Sequence, residues 1–376
     1  MRVVISAAGT GGHINPGIAI ANKIKEKQPD SEIVFIGTNR GLENDLVPRA
    51  GYGLRTIDAY GFKKEISLSN FLHIISTLKS RKEVKKIFDE FKPDVVIGTG
   101  GYICGPVFSV ATSRKIPCVL HESNAYPGMA VKMFSKKADR ILLGFEETKS
   151  RLKGCKKAVW TGTPTKIKKI DVQYIKKYDI LKELGIKTDL PIVLVSGGSQ
   201  GAQRINEAMI DLILNHKSDK YQIIWATGAK QFDIVKEEFE KNGKRIANIK
   251  NVKMLPYIYN MEELMNIADL IVSRSGAMSI TEISIVGKPA IFIPLPSRSA
   301  NRQIDNALVL KKIGAAKIIK NEEVNGENLS KEIDDIIEDK KELEEMGRFA
   351  NTIAPRDVED KIYQEIVDCI EERKYR

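Results

Sequence analysis

Val3-Val4-Ile5-Ser6-Ala7-Ala8-Gly9-Thr10-Gly11-Gly12-His13 is a short apolar run that empties into a glycine-rich turn. A β-branched run without polar alternation reads as a strand buried on both faces, as in a parallel sheet covered by helices. Glycines just after such a strand let backbone amides approach an anion at the next helix N-terminus, where the helix dipole adds to the attraction. The same order recurs farther on, where Ile192-Val193-Leu194-Val195 leads into Gly197-Gly198-Ser199-Gln200-Gly201-Ala202. The repeat predicts an α/β chain of two Rossmann-like domains facing one cleft.

Working outward, apolar runs alternate with helix-length amphipathic segments throughout. Ile33-Val34-Phe35-Ile36, Val95-Val96-Ile97, Cys118-Val119-Leu120 and Arg140-Ile141-Leu142-Leu143 read as further strands of the first series. Gln222-Ile223-Ile224-Trp225, Leu270-Ile271-Val272 and Ala290-Ile291-Phe292-Ile293 continue the second. Between the series lies the turn-rich joint Thr161-Gly162-Thr163-Pro164, followed by a lysine-rich stretch over 166–177. The expected domains are therefore 1–163 and 164–354, with a terminal segment over 355–376. In that last segment Val358, Ile362, Ile366, Val367 and Ile370 have the spacing of a one-sided helix, which needs a surface to cover. The first domain is the candidate surface.

The chain has 376 residues, long enough for two cores, and its 60 Lys+Arg against 49 Asp+Glu give a net charge of +11. That charge favours anionic partners such as phosphates, nucleic acid or acidic lipid headgroups. Cys104, Cys118, Cys155 and Cys369 are scattered without C-x-x-C spacing, which argues against a disulfide framework or zinc knuckle and for a reducing cytosol. No stretch reaches membrane-spanning length. The segment over 71–88, with Ile74, Ile75 and Leu78 beside Lys79, Arg81, Lys82, Lys85 and Lys86, reads either as a basic amphipathic helix on an anionic membrane or as a core-packed surface helix.

Three features could carry chemistry. The turns at 9–13 and 197–202 suit phosphate, and neither has the spacing of a dinucleotide or ATP loop. A third glycine cluster, Gly98-Thr99-Gly100-Gly101-Tyr102-Ile103-Cys104-Gly105-Pro106, belongs on the same sheet edge. His13 and His121 each follow a strand at that edge, and a histidine there suits removal of a proton from an attacking hydroxyl. Structural hydrogen bonding is the competing role, above all for His121. In the second half, Ser273-Arg274-Ser275-Gly276-Ala277-Met278-Ser279-Ile280-Thr281-Glu282 places small residues and a carboxylate at another strand-to-helix junction, where Glu282 could accept from a ribose diol. No acidic or histidine cluster has metal-ligand spacing, so no protein-held metal and no cofactor is expected.

Together these motifs resemble the MurG family, the transferases that make lipid II for peptidoglycan. The resemblance spans nearly the whole chain and rests on residues 9–17, on Gly100-Gly101-Tyr102, His121-Glu122-Ser123-Asn124, Gly197-Gly198-Ser199-Gln200-Gly201-Ala202, Arg274-Ser275-Gly276-Ala277 and Asn301-Arg302-Gln303. It implies a glycosyltransferase-B fold and inverting, metal-independent transfer from UDP-GlcNAc to lipid I (undecaprenyl-pyrophosphoryl-MurNAc-pentapeptide). The implied setting is peripheral, on anionic phospholipid at the cytoplasmic membrane face, in cell-wall biogenesis, cell shape and division. By the same resemblance Thr10, Gly11, Gly12, Tyr102, Asn124, Lys166, Ser199, Asn206, Ile258, Ala277, Met278, Ser279, Ile280, Thr281, Glu282 and Gln303 bind substrate. The catalytic candidates are His13, His121 and Glu122. The sequence departs from the family where an Asn-Pro-Val-Arg run is usual and Thr163-Pro164-Thr165-Lys166 stands instead. Lysine keeps the charge there but loses the arginine fork. The alternatives are a UDP-GlcNAc 2-epimerase or diacylglycerol glycosyltransferase of the same fold, or a basic nucleic-acid-binding protein. The last leaves the glycine turns unexplained, so nucleic acid is not an expected partner.

Overall fold

The computed structural model describes residues 1–59, 68–171, 177–186, 190–198, 200–296 and 302–375, with the backbone alone over 68–78. It divides into two compact units, Met1–Thr165 with Pro355–Arg376, and Lys166–Ala354.

The first unit contains β1 (Arg2–Ala7), α1 (Gly11–Lys27), β2 (Glu32–Gly37), α2 (Glu43–Arg49), β3 (Gly53–Thr56), α3 (Leu68–Phe91), β4 (Val95–Gly100), α4 (Cys104–Ser113), β5 (Cys118–Glu122), α5 (Met129–Phe134), β6 (Arg140–Leu143) and β7 (Ala158–Trp160). Its strands form a parallel sheet in the order β3-β2-β1-β4-β5-β6-β7. Successive residues of β1 serve opposite faces. Val3 and Ile5 pack with Ile14, Ile20 and Ile24 of α1, while Val4 packs with Val107 and Phe108 of α4. Both faces are dry, which is why the strand is a continuous apolar run.

The second unit contains α6 (Lys177–Glu183), β8 (Ile192–Ser196), α7 (Gln203–Asp211), β9 (Gln222–Ala226), α8 (Phe232–Lys241), β10 (Val252–Leu255), α9 (Met261–Ile267), β11 (Leu270–Ser273), α10 (Ala277–Val286), β12 (Ala290–Phe292), α11 (Arg302–Lys312), β13 (Ala316–Ile318), α12 (Gly326–Glu338) and α13 (Lys340–Thr352). Its parallel sheet runs β10-β9-β8-β11-β12-β13. In each sheet the first strand lies inside, and the order reverses on either side of it, between β1 and β4 and between β8 and β11. Such a switch point parts the following loops and opens a crevice at the carboxyl edge.

The last helix, α14 (Val358–Lys374), belongs to the first unit. Val358, Ile362, Ile366 and Cys369 bury against the α1 side of the sheet. Arg140, at the start of β6 and 3% exposed as a side chain, donates to Glu365 at 3.0 Å and to Glu372 on the same helix. Gly162 sits at a φ of +84°, and a Cβ there would lie 2.3 Å from Pro355, so the segment leading into α14 presses directly on the joint.

The stretch over 71–88 lies within α3. In its second half Val84 and Phe88 are buried in the cluster formed with α4, while Lys79, Lys82, Lys85 and Lys86 are exposed. The side chains over 71–78, which held the other half of that expectation, lie outside the described residues. Among the described residues no helix is long and apolar enough to cross a membrane.

Candidate active site

The crevice at the first switch point is lined by the turn after β1 and the loop after β4. Gly9, at φ +95°, turns the chain out of β1, and Thr10 takes an extended conformation that caps α1. The Thr10 carbonyl accepts from the His13 and Ile14 amides at 3.0 and 3.1 Å. Thr10 makes no side-chain capping bond, and the first turn of α1 carries no acidic residue. The leading amides, at Gly11 and Gly12, therefore form a helix start suited to negative charge.

His13 occupies that first turn and bridges the switch point. Its Nδ1 lies 3.0 Å from the Thr99 carbonyl, and the Thr99 hydroxyl donates to the His13 carbonyl at 2.7 Å. A carbonyl can only accept, so Nδ1 carries a proton, and when the ring is neutral its lone pair lies on Nε2. The glycines of the β4 loop make this approach possible. A Cβ on Gly100 would lie 2.4 Å from His13 Nδ1, one on Gly101 would lie 2.9 Å from the Ala8 carbonyl, and both residues have positive φ. Tyr102, next in the loop, is 40% exposed.

His121 and Glu122 are placed differently. His121 is fully buried at the end of β5, its Nε2 donates to the Gly162 carbonyl at 3.2 Å, and its Nδ1 faces the Ser123 hydroxyl at 3.4 Å. Burial, offset only in part by the Gly162 bond, pushes its pKa down to about 4. Glu122 is 5% exposed and accepts from the Asn124 amide at 2.9 Å, the Asn124 side chain at 3.0 Å and the Gly128 amide. Both residues brace the loop after β5, where Asn124 is half-buried.

In the second unit the turn after β8 is pressed against the loop after β9. Gly201 has a φ of +74°, and a Cβ there would lie 2.0 Å from the Thr227 carbonyl. Asn206 stands behind this contact, 2% exposed. Its amide donates to Thr227 at 2.9 Å and Gln231 at 2.7 Å, and its carbonyl accepts from Trp225. The side-chain amide of Asn206, expected to bind substrate, is engaged within the unit by these bonds. Ser199 lies outside the described residues.

Across the second switch point, Gly276 caps α10, again without a side-chain cap and without acid in the first turn. Ala277, Met278 and Ser279 are half-buried, as is Glu282, one turn farther on. Ile280 is fully buried and Thr281 is 3% exposed, with its hydroxyl returned to the Ala277 carbonyl, so their side chains face inward. Gln303 is joined to the same region, since its carbonyl accepts from the Ser275 hydroxyl at 2.8 Å and its side-chain oxygen accepts from the Leu295 amide at 2.8 Å. Arg274 donates to the Ile293 carbonyl and to Asn321. Ile258, after β10, is buried, at 3% exposed. Lys166 is exposed at the first residue of the unit. Among the described residues no cluster of three or more His, Cys, Asp or Glu could hold a metal ion.

Comparison with known proteins places this architecture. The Glycosyltransferase family 28 N-terminal domain matches residues 3–143, and the Glycosyltransferase family 28 C-terminal domain matches residues 192–362. A protein of Acetivibrio thermocellus named UDP-N-acetylglucosamine--N-acetylmuramyl-(pentapeptide) pyrophosphoryl-undecaprenol N-acetylglucosamine transferase is 40% identical over 376 residues, covering 99% of each chain. A protein of the same name from Lactobacillus helveticus is 41% identical over 96% of this chain and 98% of its own. This chain belongs to the MurG family. The crystal structure of Acinetobacter baumannii MurG matches it with a TM-score of 0.78 at 27% identity, covering 98% of this chain and 99% of that one. A UDP-GlcNAc 2-epimerase from Neisseria meningitidis, at a TM-score of 0.65 and 17% identity, shares the two-Rossmann-domain fold alone. Within this MurG-family chain, the residue that sequence reasoning passed over at the first crevice is Thr99, the partner of His13. Its place between Gly98 and Gly100, at the carboxyl end of β4, was the available signal.

Proposed function

We propose that this chain transfers N-acetylglucosamine from UDP-GlcNAc to the C4 hydroxyl of MurNAc in lipid I, giving lipid II with inversion at the sugar carbon. The second unit binds the donor. The helix starts of α7 and α10 flank its switch point with backbone amides, and Glu282 meets the ribose while the backbone at Ile258 reads uracil. The first unit binds the acceptor. One observation carries the chemical assignment: the Nδ1–Thr99 bond fixes the tautomer of His13 that leaves Nε2 as the basic nitrogen.

In a single displacement the acceptor oxygen bonds to the anomeric carbon as the bond to the β-phosphate oxygen of UDP breaks. The hydroxyl proton passes to His13 Nε2, a contribution worth roughly 10²–10⁴-fold. Helix-start amides meet the charge that develops on the departing diphosphate.

The acceptor is a lipid, and we extend the proposal to peripheral attachment at an anionic, cytoplasmic membrane face, driven by the chain's excess of 60 Lys+Arg over 49 Asp+Glu. The test is incubation of purified protein with labelled UDP-GlcNAc and a short-chain lipid I analogue on anionic vesicles. The expected result is labelled disaccharide lipid and salt-sensitive vesicle binding. Absence of transfer, or equal use of ADP-GlcNAc, would contradict the assignment.

A further inference from the structure

Two ties on the turn that carries His13 stand out among the described residues, and the Thr99 bridge is the one that meets the histidine. The other hold comes from Glu43, at the start of α2, a side chain with no solvent exposure. Its Oε2 accepts from the Gly9 amide at 3.0 Å. Its Oε1 accepts from the Thr38 amide at 2.9 Å and the Thr38 hydroxyl at 2.7 Å. The surrounding loop closes on the carboxylate. A Cβ on Gly41 would lie 2.0 Å from Oε2, and one on Gly37 would lie 2.7 Å from the Glu43 Cγ.

Burial works against the charged form of Glu43, yet the bonds from Gly9 and Thr38 outweigh it and hold the carboxyl below its usual range. The group is therefore an anion at neutral pH, and bonds to an anion are about twice as strong as neutral ones. A buried carboxylate is a costly way to fill space. Here it fixes the direction of one particular amide. Gly9 adopts φ +95° with nothing within 4 Å of where a Cβ would stand, so crowding does not set its conformation. Gly9 leads into Thr10, whose carbonyl takes the His13 and Ile14 amides, so the angle of the turn is passed directly into the first turn of α1.

We propose that Glu43 is a positioning residue for the transfer: by anchoring Gly9 opposite the Thr99 bridge, it fixes where His13 meets the acceptor hydroxyl. The proposal rests on the reading of His13 given above. Loss of the anchor lets the turn shift while donor binding, assigned to the other unit, stays intact. A displacement near 1 Å at a reacting group can cost on the order of 10²-fold.

Glu43→Gln tests it in the full-length protein. The amide nitrogen replaces an acceptor with a donor, so Gly9 or Thr38 must lose its partner. Transfer kinetics, calorimetric binding of UDP-GlcNAc, thermal denaturation and the imidazole ¹H–¹⁵N signals of His13 are measured together, beside His13→Ala and Thr38→Val. The expected result is a folded protein with kcat lowered roughly 10- to 100-fold, donor Kd within about twofold, and shifted His13 signals. Thr38→Val, which removes one donor but leaves the Gly9 bond, should keep near-normal kcat. If Glu43→Gln does not fold, Glu43→Asp takes its place, since its shorter stem cannot reach Gly9 and Thr38 together, and the same split is expected. Normal kcat in the Glu43 variant beside an impaired His13→Ala would overturn the role of Glu43 alone, as would equal losses in the Glu43 variant and Thr38→Val that follow stability. Normal kcat in His13→Ala would instead overturn the reading of His13.

Discussion

The turn after β1 and the turn after β8 occupy the same place in their sheets, yet they are secured by different means. The first is tied by side chains, with Gly9 on Glu43 and His13 on Thr99. The second is secured by backbone contact, with Gly201 seated against the Thr227 carbonyl and its amide bonded to Gly198 at 2.9 Å. Side-chain ties leave the first turn able to aim a titratable ring. Backbone packing leaves the second turn offering backbone amides, which suit a diphosphate. Under the proposed function, one scaffold would serve proton transfer in one unit and anion binding in the other.

Outside the turn after β1, the largest expected effect comes from breaking the second turn. Gly201→Ala places a methyl 2.0 Å from a backbone carbonyl that cannot move aside, at a positive φ. Overpacking costs about 1–3 kcal/mol and the left-handed conformation about 1–2 kcal/mol. Calorimetry should show UDP-GlcNAc affinity down at least about 10-fold, with a lowered Tm. Unchanged affinity and Tm would mean that this turn neither packs as described nor meets the donor.

A smaller effect separates the two histidines of the first unit. His121 has its pKa lowered from 6.5 to about 4 by burial, so its neutral form stabilises the fold fully above pH 6.5. That contribution is lost as pH falls from 6.5 toward 4, where the unfolded chain takes up the proton first. Denaturant unfolding at pH 7 and pH 4.5 should show wild type losing more stability than His121→Gln, by an amount on the order of 1–3 kcal/mol. Equal losses would remove His121 from the acid response.

The inner strands of both sheets were legible because burial on two faces writes a continuous apolar run. The strands that sequence reading passed over are the sheet edges: Gly53-Leu54-Arg55-Thr56, Ala158-Val159-Trp160, Val252-Lys253-Met254-Leu255 and Ala316-Lys317-Ile318. An edge strand has a neighbour on one side only, tolerates charge, and stays short, so it leaves no such run. The site divides in the same way. His13 and the glycine turns were readable because a strand, a turn and a helix start are adjacent in sequence. The roles of Thr99, 86 residues from His13, and Glu43, 34 residues from Gly9, depend on strand order, which local pattern does not encode. The bonds of Asn206 to Thr227 and of His121 to Gly162 likewise join residues far apart in sequence, which local pattern does not encode.

The central claim is that the first turn serves the chemical step and the second serves the donor. The most direct test is His13→Ala, with kcat for transfer to a lipid I analogue and equilibrium Kd for UDP-GlcNAc measured on the same folded preparation. The account predicts kcat lowered by roughly 10²–10⁴-fold with donor Kd nearly unchanged. Near-normal kcat with weakened donor binding would contradict it, and would move His13 from the acceptor hydroxyl to the donor pocket.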